Sequence, residues 1–168
     1  KKGYYRDAIR SYVDILEKYP NSPDNAEVLY QLAKAYDMEG ETGNALKMME
    51  RLTTLHPYFP TIAEVYFRMG DIYFSARKYK KAEQAYRETT KKDGGKLLLN
   101  AHYMLAWTLY KRGYYHDSLD SFAYVLNELM MLKTGRKLSK TEKPLVEDTL
   151  HSMSLALVNS DGAEGIAD

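Results

Sequence analysis

Histidines and carboxylates are the side chains of this chain that could bind a metal or catalyse acid–base chemistry, since it contains no cysteine. None of the four histidines has another histidine four residues away, the spacing that puts two ligands on one helix face. No carboxylate lies in an apolar stripe that would raise its pKa for acid catalysis, and no Ser-His-Asp set is indicated. We therefore predict no metal, no cofactor and no enzyme activity. The histidines are His56, His102, His116 and His151.

Two short patterns could bind anions. Residues 94–96 (Gly-Gly-Lys) lack the preceding strand, the spacing and the following Ser or Thr of a phosphate-binding loop, which indicates a turn. A basic loop could contact an acidic partner or anionic lipid headgroups, but a solvated loop is the favoured interpretation. Its basic residues are Lys133, Arg136, Lys137, Lys140 and Lys143.

The overall composition indicates a folded chain that does not bind nucleic acid. The 168 residues are 45% hydrophobic and 28% charged, enough apolar surface to form a core. The net charge of +1 comes from 24 basic and 23 acidic residues spread along the chain, without the basic face that phosphate binding requires. No stretch approaches the roughly 18 to 20 apolar residues of a membrane helix, so no membrane span is expected.

The elements that position these side chains are repeated helices. Similar segments begin at Ala26, Ala63 and Leu99. Apolar residues recur at three- and four-residue steps within each segment, which predicts one apolar stripe on a helix, and a second stripe follows after a short break. Each unit therefore reads as a first helix, a tight turn and a second helix. The breaks contain Gly40 and Gly43, then Arg77 and Lys78, then Gly113.

Small residues recur where the two helices of a unit must approach each other, and larger residues recur at neighbouring positions. The small positions are Ala33, Gly70 and Ala106 in first helices and Ala8, Ala45, Ala82 and Ser118 in second helices. The large positions are Leu32, Met69 and Leu105, then Tyr12, Met49, Tyr86 and Phe122. Pro20 and Pro57 are predicted to end two second helices, because proline cannot continue the hydrogen-bond ladder.

This pattern of small residues and terminal prolines resembles the tetratricopeptide repeat (TPR) family, whose period is about 34 residues. The resemblance implies an all-α fold, a right-handed superhelix (solenoid) of antiparallel helix pairs. It divides residues 1–168, as a single array, into a second helix of a truncated repeat at 3–20, repeats at 24–57, 60–93 and 96–132, a basic loop insertion at 133–141, and the start of a truncated repeat at 142–168. The second helix of the third repeat is expected to be extended.

Both ends of the chain resemble half-repeats. Residues 3–20 match only a second helix, whereas residues 142–160 match a first helix, with Met153 and Ser154 in register. Gly162 to Asp168 resemble the start of its truncated partner. Because terminal repeats normally carry polar capping faces, we expect a fragment of a longer, bacterial protein, with apolar surface and possible self-association at both ends.

In this family the first helices line the concave face, so the resemblance implies a groove for a peptide segment or partner helix. The alternative for the tyrosines is packing against the next repeat, and the alternative for Trp107, the only tryptophan, is to fill a gap between repeats. The family's clamp for chaperone carboxylates is not expected, since Lys34 lacks the accompanying asparagines. The groove positions are Tyr30, Lys34, Asp37, Phe67, Asp71, Phe74, Tyr103, Trp107 and Tyr110.

The favoured function is a scaffold for a protein or peptide partner. The alternatives are a structural spacer or self-assembling array, in which a neighbouring copy or the C-terminal helix fills the groove, and a non-catalytic arm of a larger complex. The stretch YPNSPDNAEVLYQLAKAYD also resembles bacterial cell-envelope TPR proteins, including outer-membrane assembly lipoproteins and accessory proteins of the Tol-Pal system. That resemblance slightly favours the periplasm over the cytoplasm.

Overall fold

The computed structural model describes residues 3–92, 95, 97–131, 140 and 142–164, the last four of them by their backbone alone. Within these ranges the chain forms eight α-helices and no strand. The helices are α1 (Arg6–Lys18), α2 (Asn25–Glu39), α3 (Thr42–Leu55), α4 (Ile62–Ser75), α5 (Tyr79–Lys92), α6 (Leu98–Lys111), α7 (Tyr115–Met131) and α8 (Glu142–Glu164).

Helices that follow each other in sequence pack against each other in space. The pairs α2/α3, α4/α5 and α6/α7 each form one repeat, and one apolar core runs through them from Leu16 on α1 to Leu109 on α6. Such stacking is the arrangement of a repeat solenoid. The prediction of an all-α, TPR-like solenoid is confirmed.

A close contact inside the α4/α5 pair explains one of the small residues. A Cβ atom added to Gly70 would lie 2.5 Å from the Tyr86 ring, a distance that real Cβ atoms do not reach. The Tyr86 side chain is fully buried, so its ring cannot move aside without disturbing the core. Gly70 therefore permits the close approach of α4 and α5.

The turns within the three repeats share one backbone geometry. The residue that follows or nearly follows the first helix has positive φ: Gly40 at 80°, Arg77 at 57° and Gly113 at 81°. The next amide then bonds back to the helix, as in Lys78 N–H to the Tyr73 carbonyl at 2.8 Å. Glycine adopts this conformation freely, whereas for Arg77 it costs about 1 kcal/mol of backbone strain.

Helices α7 and α8, with 17 and 23 residues, are longer than the helices before them. Helix α7 has 17 residues, against 14 in α3 and α5. The basic loop at 133–141 lies outside the described residues except for Lys140, which is exposed. Helix α8 continues through Gly162 to Glu164, so the second helix that the sequence placed from Gly162 does not begin there, since one glycine in a helix costs only about 1 kcal/mol.

The N-terminal helix is tied to the first repeat by a carboxylate. The side chain of Glu39, at the end of α2, accepts hydrogen bonds from the backbone N–H groups of Gly3 at 2.6 Å and Tyr5 at 2.7 Å. These bonds favour the ionised carboxylate and lower the pKa of Glu39. Glu39 thereby satisfies amides just before α1 that have no partner within the helix.

Candidate protein-binding groove

All nine predicted groove residues lie on the first helices α2, α4 and α6, three on each helix at equivalent positions. We call them the first, middle and last groove triplets. They are Tyr30, Lys34 and Asp37 on α2, Phe67, Asp71 and Phe74 on α4, and Tyr103, Trp107 and Tyr110 on α6.

The first triplet contacts α4 through polar groups. The Tyr30 hydroxyl donates to a Glu64 carboxylate oxygen at 3.1 Å. Asp37 accepts two hydrogen bonds of 2.9 Å from the Arg68 guanidinium, the bidentate geometry that gives ion pairs their directionality. The Lys34 ammonium lies 5.1 Å from the centroid of the Tyr30 ring, within the range of a cation–π interaction.

A pocket of about 280 Å³ opens between α2 and α4 at this triplet. Apolar atoms form most of its wall, and charged side chains of both signs surround it. This volume lies just below the roughly 300–1,000 Å³ of small-molecule sites, so it has room for one large side chain. Its lining residues are Tyr30, Ala33, Lys34, Asp37, Met38, Met49, Glu64, Val65, Phe67 and Arg68.

The middle triplet is connected to the core of its own repeat. Phe67 packs edge-on against the Tyr86 ring at a centroid distance of 5.7 Å, and Asp71 accepts a 2.8 Å hydrogen bond from the Tyr86 hydroxyl. Burial raises the pKa of Asp71, although the bond from Tyr86 and the charge of Arg68 act in the opposite direction. The third residue, Phe74, packs edge-on against Tyr79 on α5 at 5.4 Å. This triplet thus links the groove surface to the α4/α5 packing.

The last triplet contacts α8. The Tyr103 hydroxyl donates to the Asp148 carboxylate, and burial together with this carboxylate raises the pKa of Tyr103. The Tyr110 hydroxyl accepts a 3.1 Å hydrogen bond from the Asn159 side-chain amide. Two tyrosine hydroxyl groups of the last triplet therefore connect α6 to α8 by hydrogen bonds.

Trp107 is half-buried among aromatic rings. Its indole packs edge-on against Phe122 of α7 at 5.7 Å and against Tyr110 at 5.6 Å. The buried part of the ring therefore contributes to packing of the last repeat, and the remaining part lies on the groove surface. These contacts agree with the packing interpretation of Trp107, and its binding role stays a prediction.

Several lining residues were not among the nine predicted positions. Glu64 and Arg68 lie on α4 but face the first triplet on α2, and Asp148 and Asn159 lie on α8 but face the last triplet on α6. Each belongs to the repeat after the one it contacts. For Glu64 and Asp148, the signal that could have found them is the repeat register itself, because they occupy equivalent positions in the first helices α4 and α8.

The described part of the chain offers little else for chemistry. It holds no group of three or more metal-ligating side chains. His102 stacks on Tyr124 at 3.9 Å, and burial lowers the pKa of His102. The His116 ring nitrogen lies 3.1 Å from the Ser160 hydroxyl. Among the described helices none is both long and apolar enough to cross a bilayer.

A family model for the outer membrane lipoprotein YfiO matches residues 1–98. This match spans more than half of the chain and includes α1 to α5 with the first triplet and the pocket. No curated protein matches the chain in sequence.

Solved structures of helical-repeat proteins share the fold. The MamA crystal structure is 21% identical with a TM-score of 0.63, covering 98% of this chain and 93% of that one. BtubC (BKLC) from P. vanneervenii is 16% identical with a TM-score of 0.67, covering 95% and 68%. A Podosopora anserina kinesin light chain protein with nearly identical TPR-like repeats is 14% identical with a TM-score of 0.65, covering 97% and 82%. At these identities the likeness concerns the fold alone.

Proposed function

The chain belongs to the YfiO outer membrane lipoprotein family, and we propose that it is a scaffold that binds a peptide segment of a partner protein in its concave groove. TPR-like folds generally mediate protein–protein interactions, which supports a binding role rather than a catalytic one. The family description also supports a bacterial protein that acts in the cell envelope, on the periplasmic side of the outer membrane.

The observation that carries this proposal is the pocket between α2 and α4. Its volume of about 280 Å³ suits one apolar side chain of a partner. Buried apolar residues at the floor, among them Ala33, Met49 and Val65, would bring that side chain out of water, which is the main source of hot-spot energy.

The rim of the pocket suits the backbone and flanking residues of the same segment. Asp37 and Arg68 are held by each other and form a fixed polar edge that costs little ordering on binding. Lys34 is exposed above the Tyr30 ring, where its ammonium group is close enough to meet an acidic or carbonyl group of the partner.

Site-specific photo-crosslinking tests the proposal. Met38 lines the pocket and is 65% exposed, so replacing it with p-benzoylphenylalanine places a reactive group at the pocket mouth. We expect discrete adducts with a partner protein in an envelope extract of the source bacterium. Mass spectrometry would then identify the peptide segment that lies in the groove.

Leu55 provides the matched control, because it is 57% exposed but lies at the far end of α3. The same probe at position 55 should give no specific adduct. Equal adducts at both positions, or none at position 38, would contradict groove binding. Adducts only between copies of this chain would favour the spacer instead.

The structural spacer remains a second candidate because the last triplet is engaged by the chain's own helix α8. That contact matches ordinary stacking, however, since Tyr30 bonds Glu64 on the next first helix in the same way. The pocket at the first triplet is open. The scaffold is therefore the function that the groove supports best.

A further inference from the structure

A second pocket opens in the middle of the array, on the side of the second helices α3 and α5. It has a volume of about 260 Å³, and we call it the outer pocket. It shares no lining residue with the pocket at the first triplet. On α4 it is lined from positions 66, 69 and 73, whereas the groove residues are at 67, 71 and 74, so the two sites lie on different faces of this helix. Its main lining residues are Glu50, Tyr66, Met69, Tyr73, Gln84 and Glu88.

In the α6/α7 repeat an aromatic ring of the chain itself fills the equivalent place. The repeat register puts His102 where α4 has Tyr66. It likewise puts Tyr124 where α5 has Glu88. The rings of Tyr124 and His102 stack with their centroids 3.9 Å apart and their planes at 30°. A tyrosine on the second helix therefore covers the ring on the first helix in this repeat.

The α4/α5 repeat has the ring on the first helix but no ring to cover it. Tyr66 is half-buried and lines the outer pocket. Glu88 instead accepts a 2.8 Å hydrogen bond from the Lys91 ammonium group along α5. The exposed Lys92 ammonium group lies 6.0 Å from the centroid of the Tyr66 ring, and a long lysine side chain of this kind moves aside into water at little cost. The space that Tyr124 fills in the next repeat is therefore open here.

The outer pocket also has an acceptor for a phenol hydroxyl group. One carboxylate oxygen of Glu50 accepts a 2.6 Å hydrogen bond from the Tyr73 hydroxyl. The other oxygen has no hydrogen-bond or ion-pair partner among the residues that the structure describes. Because a buried tyrosine usually bonds its hydroxyl to a partner, this oxygen suits the polar end of a tyrosine whose ring lies in the pocket.

From this comparison we propose that the outer pocket binds a tyrosine side chain of a partner protein, stacked on Tyr66 as Tyr124 is stacked on His102. The first repeat does not offer such a site. The residue equivalent to Tyr66 is Leu29 there, which is 1% exposed, and the pocket between α1 and α3 has only about 180 Å³. The site is separate from the groove, so this proposal and groove binding succeed or fail independently.

Backbone amide NMR of the whole chain, titrated with N-acetyltyrosinamide, tests the proposal. We expect shifts of the amides of Tyr66, Gln84 and Glu88, with a Kd of roughly 1–10 mM for this single side chain. N-acetylleucinamide is apolar but has no ring, so it cannot stack on Tyr66. It should bind at least about fivefold more weakly.

Three variants make the test specific to the outer pocket. Glu88→Tyr supplies the missing ring from α5 itself and should weaken probe binding at least about tenfold. Arg51→Tyr is the matched control, because it introduces the same side chain at the equivalent position of α3, and it should leave binding unchanged. Tyr124→Ala uncovers His102 and should create a second site, seen as a new shift of the His102 amide. Circular dichroism should show unchanged helix content in Glu88→Tyr and Arg51→Tyr, whose comparison is decisive even if Tyr124→Ala unfolds.

Four outcomes would overturn the proposal. Absence of shifts at the outer-pocket amides with the probe near its solubility limit would show that the pocket does not bind a tyrosine side chain. Equal binding of the tyrosine and leucine probes would show that stacking provides no selectivity. Shifts confined to the first triplet would assign the probe to the groove. Equal weakening by Glu88→Tyr and Arg51→Tyr would show that filling the outer pocket is not what blocks the probe.

Discussion

The groove stretch between α2 and α4 and the stretch between α6 and α8 use equivalent helix positions with different side chains. In the first stretch Lys34 and Asp37 are charged, and a pocket of about 280 Å³ is open beside them. In the last stretch the same positions are Trp107 and Tyr110, whose rings pack against each other at 5.6 Å. One stretch offers a cavity with a charged rim, and the other offers two aromatic rings that pack edge-on.

The comparison shows which positions link neighbouring repeats. At the first position of the first and last triplets, Tyr30 and Tyr103 both donate to a carboxylate on the next first helix. The other two positions carry unrelated side chains without changing the fold. The third position also contacts the next first helix, because Arg68 bonds Asp37 and Asn159 bonds Tyr110. The first and third positions therefore both link neighbouring repeats.

The largest effect is expected from Gly70→Ala, inside the α4/α5 pair that lies between the two stretches. The added Cβ would meet the fully buried Tyr86 ring at 2.5 Å, and Tyr86 also holds Asp71 and Phe67 of the middle triplet. We expect a loss of about 3 kcal/mol in the free energy of unfolding, the upper end of the usual cost of overpacking. Urea denaturation would measure it.

Gly43→Ala is the matched control for this change. Nothing lies within 4 Å of a Cβ built at Gly43, which is in the first turn of α3. Alanine should therefore be neutral or stabilise α3 by up to about 1 kcal/mol. An equal loss of stability in both variants would show that the Gly70–Tyr86 contact does not limit the packing of the middle repeat.

This contact also shows how far the sequence could predict the fold. The small residue at Gly70 and the large residue at Tyr86 were recognisable from the register of the repeats, because close helix packing limits side-chain size. The bond from the Tyr86 hydroxyl to Asp71 was not recognisable. Repeat spacing specifies which helix faces meet, whereas a single hydrogen bond depends on rotamers that spacing does not define.

Trp107→Ala and Lys34→Ala compare how much the last and the first stretch contribute to the binding of a partner. The two residues occupy equivalent positions, but Trp107 offers much more contact area with few rotors to order. We expect Trp107→Ala to weaken binding of a groove partner by about 2 kcal/mol, roughly thirtyfold, and Lys34→Ala by about 0.5 kcal/mol. Titration calorimetry with the segment crosslinked at position 38 would measure both.

Stability must be measured on the same two variants, because Trp107 also packs against Phe122. Helix content should be unchanged in each. If Trp107→Ala loses helix content along with binding, the indole is primarily a packing residue of the last repeat. If Lys34→Ala weakens binding more than Trp107→Ala does, the pocket rather than the aromatic surface provides most of the affinity.

The placement of the nine residues on first helices could be predicted, whereas the contact between Arg68 and Asp37 could not. The family register placed Lys34 and Trp107 at equivalent positions of two first helices. Arg68, which holds Asp37, was missed, because its partner lies in another repeat. These two residues are 31 positions apart in the chain. Whether they meet depends on how the repeats stack, which the period alone does not determine.

The smallest effects are expected from Tyr30→Phe and Tyr103→Phe, and here the two stretches should behave alike. Each change removes only a hydroxyl that bonds a carboxylate of the next repeat. Both bonds are exposed to solvent, so water replaces the lost partner and each change should cost about 0.5 kcal/mol of unfolding free energy. Tyr58→Phe, at a side chain that is 95% exposed, is the control and should cost nothing measurable.

Equal losses for Tyr30 and Tyr103 in urea denaturation would establish the shared stacking role, because the pocket lies beside only one of them. A larger loss at Tyr103 alone would mean that α8 depends on this bond more than α4 depends on Tyr30, and the two stretches would then differ in how they stack as well as in what they can bind.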